Sequence, residues 1–277
     1  MDGAAEAKEL APAKVKTEVK DRIGIVTLND PATLNAAGID LMGGLRAAVS
    51  AFIADDEVRA IVITGEGRGF CSGANLSGGG PNSSGGARIT ENPGGPNQSL
   101  LQVYNPFVSM IRKSPKPLVA AVNGVAAGVG ASLALVCDLI VAGESAYFLQ
   151  AFRRIGLVPD GGATYLLPRL VGKARAMELT LLGEKLPAKT ALEWGMINRC
   201  VPDADLMSTA MGLAKQLADG PKSLGYTRNL IWASMDAAWH DQVEAEAYAQ
   251  GDAARTEDAR EGIMAFAQKR PAEFKGR

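Results

Sequence analysis

Leu118-Val119-Ala120-Ala121-Val122-Asn123-Gly124-Val125-Ala126-Ala127-Gly128-Val129-Gly130 is the stretch whose reading decides the fold of this chain. Its first five residues are a short apolar run of the kind that forms a buried strand. Asn123-Gly124 is a turn dipeptide, and the glycines that follow leave backbone N–H groups bare of side chains. The same pattern occurs earlier, where Ala60-Ile61-Val62-Ile63-Thr64 precedes Gly69-Phe70-Cys71-Ser72-Gly73-Ala74-Asn75-Leu76. Two such turns brought together present two main-chain donors to one developing oxyanion.

Outward from these turns the chain reads as repeated strand, strand and helix. Alternation at Val15, Thr17 and Val19 marks a half-buried strand, Asp21-Arg22 turns it, and residues 23–28 return as a second strand. A loop through Asn35 follows. Ile39, Leu41, Met42, Leu45, Val49, Phe52 and Ile53 then fall near helical spacing. Residues 58–64 form a strand, and residues 77–99 are a long Gly/Pro/Ser/Asn segment, too long for an ordinary connection. A helix over 104–113 ends at Pro115 and Pro117. Beyond the second turn come a small-residue helix over 130–136, strands over 138–142 and 146–149, and a third glycine turn at 156–162. Helices are predicted over 164–170, 173–182 and 188–194, and a strand over 197–201. From 203 onward the pattern is all helical (205–218, 221–234, 239–254, 258–269), and composition shifts from Val/Ile/Gly to Ala/Glu/Met near Pro202. The expected organisation is a flexible tail over 1–14, an α/β core with the catalytic site over 15–202, and a helical region for oligomerisation over 203–277.

Composition excludes several function classes. Lys plus Arg is 29 and Asp plus Glu is 30, so there is no basic field for nucleic acid or anionic lipid. No segment has the length and apolarity of a membrane span, and residues 1–14 lack the apolar stretch of a secretory signal. Cys71, Cys137 and Cys200 are odd in number, far apart and without a CxxC pair, which points to a reducing cytoplasm. His240 is the single histidine. With no GxSxG elbow a serine-triad hydrolase is a poor reading, and no His or Cys cluster offers a metal site. Gly65-x-Gly67-x-Gly69 lacks the spacing of a dinucleotide-binding turn.

Taken in order, Leu34-Asn35-Ala36, the two glycine turns, Cys137-Asp138-Leu139, Ile155-Gly156-Leu157-Val158-Pro159-Asp160-Gly161-Gly162, Leu167-Pro168-Arg169-Leu170-Val171-Gly172 and Glu193-Trp194-Gly195 resemble the crotonase (enoyl-CoA hydratase/isomerase) family over almost the whole chain. The resemblance implies an α/β spiral of β-β-α units with a helical C-terminal trimerisation region, assembled as a homotrimer or a dimer of trimers. It also implies an acyl-CoA substrate, with coenzyme A entering as part of that substrate and no separate cofactor. By position, the oxyanion donors would be the amides of Ala74 and Val129. Leu34, Ala36, Cys71, Ser72, Gly73, Leu76 and Gly128 would lie along the CoA path, with Phe266 and Lys269 approaching it from a neighbouring helix.

Hydratases of that family orient water with two glutamates, and the matching positions here are Ser132 and Phe152. Hydration needs a group to deprotonate water and another to protonate carbon, so the residues disfavour it. Asp160 remains, and the chain is most similar to the phenylacetate-pathway-type enoyl-CoA isomerases, in which one carboxylate at this turn carries the proton. Phe152 and Leu157 are expected to wall Asp160 and raise its pKa. Turn chemistry alone instead reads Pro159-Asp160-Gly161 as a helix cap. Asp138 reads as a structural residue at a strand start, and Glu91 as a solvated loop glutamate. A dehalogenase would need a histidine before the second turn, and residues 77–117 contain none. The alternatives left open are a hydratase with non-standard acid–base groups and a catalytically weak acyl-CoA-binding or RNA-binding member.

Overall fold

The computed structural model describes residues 13–75 and 95–277. Strands β1 (Val15–Lys20) and β2 (Ile23–Leu28) form an antiparallel hairpin, and α1 (Ile39–Ala54) follows. Then come β3 (Ala60–Gly65) and β4 (Gly69–Cys71), and a helical segment of α2 (Gly95–Ser99), a π turn (Leu100–Tyr104) and α3 (Asn105–Arg112). The next unit is β5 (Leu118–Val122), β6 (Val125–Ala127) and α4 (Val129–Leu135). The one after it is β7 (Leu139–Gly143), β8 (Tyr147–Leu149), a 3-10 turn (Ala151–Ile155) and α5 (Ala163–Leu182). The chain ends with β9 (Lys185–Pro187), α6 (Ala188–Glu193), β10 (Arg199–Val201), α7 (Leu206–Asp219), α8 (Ser223–Ser234), α9 (Trp239–Ala254) and α10 (Glu257–Gln268).

In each unit the first strand joins a six-stranded sheet ordered β1-β2-β3-β5-β7-β10, and the second joins a four-stranded sheet ordered β4-β6-β8-β9. This is the expected α/β spiral of β-β-α units. All pairings from β2 to β10 in the larger sheet are parallel. Both faces of that sheet are covered, which is why its strands are unbroken apolar runs. Ala60, Val62, Val119, Ala121 and Val141 pack on Leu206, Ala210, Ala214 and Ala218 of α7, whereas Ile61, Ile63, Leu118, Ala120 and Val122 face the main core. The helical segment expected from 203 onward therefore begins inside the core. The helices α8, α9 and α10 follow it, and α9 buries no residue.

Three short strands, β4, β6 and β9, were read in the sequence as turns or connections. Each has only three residues, too few to show a periodicity. The helices expected over 164–170 and 173–182 run as one element, broken at Gly172 where φ is 78° and ψ is 161°. Of the expected tail, residues 1–12 lie outside the described residues, but Lys14 pairs with Asp30 at 2.9 Å. Residues 76–94, including Leu76 and Glu91, also lie outside them, and residues 95–99 are helical rather than loop.

Asp138 precedes β7 and anchors the helical region. Its carboxylate accepts from Leu118 N–H at 2.8 Å, Arg228 Nε at 2.7 Å and Trp232 Nε1 at 2.8 Å. The same guanidinium donates to the carbonyls of Ile111, Arg112 and Ser114 at the end of α3. A buried fork thus satisfies helix-end carbonyls that α3 itself leaves open, and it ties α8 to both α3 and the sheet.

Candidate active site

β4, β6 and β8 are parallel neighbours in the smaller sheet, with Cys71 opposite Ala126 and Ala127 opposite Leu149. Their C-terminal ends therefore release three chain segments at one edge. After β4 comes the turn at 72–74, after β6 the turn at 128–129, and after β8 the segment that carries Phe152 and Asp160.

The first turn is shaped by Gly73, whose φ of 101° is a conformation open to glycine and strained for other residues. A Cβ there would also lie 2.9 Å from the Ala127 carbonyl oxygen. Ala37 N–H donates to the Gly73 carbonyl at 2.7 Å. The C=O and N–H of one trans peptide point in opposite directions, so this bond aims the Ala74 N–H away from Ala37. The loop that supplies Ala37 is pinned by buried Asn35. Its Nδ2 donates to the carbonyls of Gly69 at 2.7 Å and Glu66 at 3.0 Å, and its Oδ1 accepts from Asp30 N–H at 2.7 Å. Ser72 N–H donates to the Leu34 carbonyl at 3.0 Å.

The second turn abuts the first. Gly128 has φ 51° and ψ −127°, and a Cβ on it would sit 4.0 Å from Gly73 Cα. Gly128 N–H donates to Leu149 O at 2.8 Å, and its carbonyl accepts from Ala131 and Ser132 N–H at 3.0 and 3.3 Å. By the same trans-peptide argument the Val129 N–H points away from the body of α4. As the first residue of that helix it has no intrahelical acceptor. Among the described residues, neither the Ala74 nor the Val129 N–H is given to a protein acceptor. The two amides form a pair of open donors at the meeting point of two turns.

The Asp160–Gly161 segment is held against α4, the helix whose first residue is Val129. A Cβ on Gly161 would stand 2.8 Å from Ser132 Cβ and 3.3 Å from Val129 Cγ2, so the chain at this point lies directly on α4. Ser132 Oγ donates to the Asp160 carbonyl at 2.8 Å. The side chain does not cap α5, because Gly162 is the N-cap and no side chain bonds there. Asp160 Oδ1 is instead buried with no hydrogen-bond partner among the described residues. Burial pushes the carboxyl up to about 6, since loss of hydration disfavours the charged form. Phe152 is buried with its ring tip 3.6 Å from the Cβ site of Gly128. Leu157, expected as a second apolar wall, is 46% exposed.

The two turns thus bring Leu34, Ala36, Ser72, Gly73, Ala74, Gly128 and Val129 to the same edge. Cys71 needs correction as a lining side chain. It is fully buried in the core, and burial pushes its thiol up to about 11, so the side chain does not line the turns. Phe266 is 87% exposed. Phe266 and Lys269 lie at the end of α10, whose Asp258 is bonded to Lys222, Lys275 and Gly276, and the single chain does not bring them to the turns. His240 is exposed on α9. Sequence reading did not find a use for Ser132 or Tyr104. The available signal for Ser132 was a lone hydroxyl in a helix of small apolar residues. Among the described residues, no group of three or more His, Cys, Asp or Glu could hold a metal ion, and no helix is long and apolar enough to cross a membrane.

Comparison with known proteins gives consistent results. A family model described as enoyl-CoA hydratase/isomerase matches residues 18–277. The chain is similar to a 1,2-epoxyphenylacetyl-CoA isomerase of Escherichia coli K12, at 40% identity over 95% of this chain and 98% of the relative. It is similar at 39% to a protein of Rhodobacter capsulatus named as a probable enoyl-CoA hydratase, over 95% of this chain and 98% of that one. Among solved structures it resembles an enoyl-CoA hydratase from Polaromonas sp. JS666, with TM-score 0.85, 32% identity and coverage of 94% and 99%.

Proposed function

The chain belongs to the enoyl-CoA hydratase/isomerase family, and we propose that within it the protein shifts the double bond of a 3-enoyl-CoA to give the 2-enoyl-CoA. The observation that supports this reading is one half-buried carboxyl whose Oδ1 has no partner among the described residues, on a segment packed against Ser132 and Val129, and by the family resemblance Ser132 and Phe152 stand where a hydratase would need carboxylates. The thioester oxygen sits between Ala74 N–H and Val129 N–H. The Asp160 carboxylate takes a proton from C2, and the C–H electron pair moves toward the carbonyl to form a dienolate. The C3–C4 π pair then takes the proton back from Asp160 at C4, the enolate C1–C2 pair moves to C2–C3, and the oxyanion pair re-forms the carbonyl. No electrons leave the substrate, so a base and a charge stabiliser are sufficient chemistry, and coenzyme A serves only as part of the substrate.

A thioester α-proton is far less acidic than a carboxylic acid, so the amide pair must supply much of the driving force. One lost oxyanion donor typically costs roughly 10²–10³ in rate, and a placed base contributes about 10²–10⁴. Val129→Pro tests the amide directly. Proline is tolerated at the first helical position, and the Gly128 backbone is the mirror image of the extended geometry that precedes proline. We expect Val129→Pro to fold and to lose roughly 10²–10³ in kcat, with Val129→Ala nearly unaffected. Equal losses in the two variants would mark Val129 as a packing residue.

The base must be ionised to act. With Asp160 raised to about 6 by burial, kcat/KM should fall about tenfold per pH unit below 6 and level off above it. A rate independent of pH from 4.5 to 8 would contradict this assignment. The overall proposal is tested by mixing the protein with a 3-enoyl-CoA and following growth of 2-enoyl absorbance. Loss of that absorbance from crotonyl-CoA would favour the hydratase reading, which the names of several relatives support. Ring-containing thioesters belong among the substrates tried, given the name of the Escherichia coli relative.

The working assembly is proposed to be a homotrimer or a dimer of trimers. The support for it is the exposure of Trp239, Tyr248, Ile263 and Phe266 on α9 and α10, large side chains that a second copy would cover. The free thiols, two of them buried, support a reducing cytoplasm as its location.

A further inference from the structure

Tyr104 closes the π turn between α2 and α3. It is 2% exposed, far from any surface that would need a phenol. π turns occur often at functional sites. Its hydroxyl donates to the carbonyl of Ala37. Ala37 is itself fully buried, and its N–H makes the 2.7 Å bond to the Gly73 carbonyl that sets the Gly73–Ala74 peptide plane. A continuous path therefore runs from the phenol through one residue of the 34–37 loop to the first oxyanion amide. The neighbouring base is not on this path, because Asp160 Oδ1 receives no hydrogen bond.

We infer that Tyr104 is a positioning residue for the oxyanion pair: its hydroxyl holds Ala37 so that the Ala74 N–H points at the thioester oxygen. The inference rests on the acyl-CoA reading of the site but not on the double-bond shift. Two properties of the molecule favour it over a purely packing role. The hydroxyl contributes nothing that a phenylalanine ring would not, apart from this one bond. Loop 34–37 is also pinned at Leu34, Asn35 and Ala36, whose N–H donates to Thr33 Oγ1 at 3.1 Å, but among the described residues the Tyr104 hydroxyl is the only donor given to the Ala37 carbonyl. Burial raises the phenol above its ordinary value, so it stays a neutral donor across the working pH range.

The test is Tyr104→Phe, which keeps the ring and removes the donor. Butyryl-CoA labelled with carbon-13 at the carbonyl cannot be isomerised or hydrated, so its infrared carbonyl band reports donor alignment whatever the reaction. The wild-type protein should shift the bound band to lower frequency, and Tyr104→Phe should roughly halve that shift, since catalysis by such donors depends on their aim. With a 3-enoyl-CoA, kcat should fall about tenfold with KM and the pH midpoint little changed, a partial loss beside the roughly 10²–10³ for complete donor removal. A Tyr104→Phe protein with the wild-type band overturns the inference, and so does a wild-type protein that does not shift the band at all. If the wild type shifts the band but does not isomerise, and Tyr104→Phe reverses the shift, the isomerase reading fails and the inference stands.

Discussion

Asp160→Asn is expected to reduce 3-enoyl thioester turnover by at least roughly 10²–10⁴ with almost no change in affinity for a saturated acyl-CoA. The amide group keeps the shape of the carboxyl and cannot take a proton. The amide pair and the Ser132 bond to the backbone carbonyl of residue 160 remain in place. The same substitution should raise stability at neutral pH. Burial lifts the folded-state pKa of Asp160 from its ordinary 3.8 to about 6, so the folded protein binds the proton more tightly than the unfolded chain. Its favourable contribution is complete below the unfolded pKa and is lost as pH rises through 6. Asp160→Asn should therefore melt above the wild type at pH 8, with the difference vanishing below pH 4. Lower activity with higher stability is the signature of a strained functional group. Retained turnover, or a melting curve lowered at pH 8, would contradict a base held at the cost of folding.

The second large effect concerns the fold. Arg228→Ala should destabilise the protein by about 3–5 kcal/mol, lowering the melting temperature by roughly 6–15 °C in a chain of this size. The guanidinium is 5% exposed beside Asp138 at 16%. Its removal strands a carboxylate and leaves the carbonyls of Ile111, Arg112 and Ser114 without their donor. Arg255→Ala is the matched control, because the Arg255–Asp252 pair is exposed at 77% and 55% and should contribute at most about 1 kcal/mol. Thermal unfolding of the two variants side by side decides the matter, and similar shifts would show that the buried fork is not what ties α8 to the sheet. Because α3 follows directly on the π turn of Tyr104, the same variant should also weaken activity in the folded protein.

Much of this molecule was legible before any coordinates. The two strand–glycine turns, the longer strands and the helical end appear in the residue pattern, because buried parallel strands need apolar runs and tight turns need glycine, whereas the three-residue strands β4 and β6 do not. Asp160 was also legible, although turn chemistry pointed to a cap. The cap reading fails because Gly162 takes the N-cap position with a φ of 88° and the carboxyl turns inward instead. Local preference was overruled by a contact between elements, the seat of Gly161 on Ser132 and Val129. Leu157 went the other way: its apolar side chain suggests burial, yet it is 46% exposed, in a loop after the 3-10 turn that none of the described residues fully covers. Cys71 falls within a turn that matches the site, yet it ends a strand that is buried at all three positions, and its thiol lies in the core.

Sequence by itself determined which residue types were available: one histidine, two strand–glycine turns, and a third glycine turn with one candidate acid, Asp160, residues that support the proposed proton transfer next to a stabilised oxyanion. Tertiary structure alone decided where those groups meet. The pairing of β4, β6 and β8 places three segments at one sheet edge, although they are separated by more than 50 and about 20 residues in the chain. The direction of each amide is decided by what its partner carbonyl accepts, Ala37 N–H in one turn and the first turn of α4 in the other. The physical reason is that hydrogen-bond direction and desolvation are properties of surroundings assembled from distant parts of the chain, and no residue carries them in its own identity.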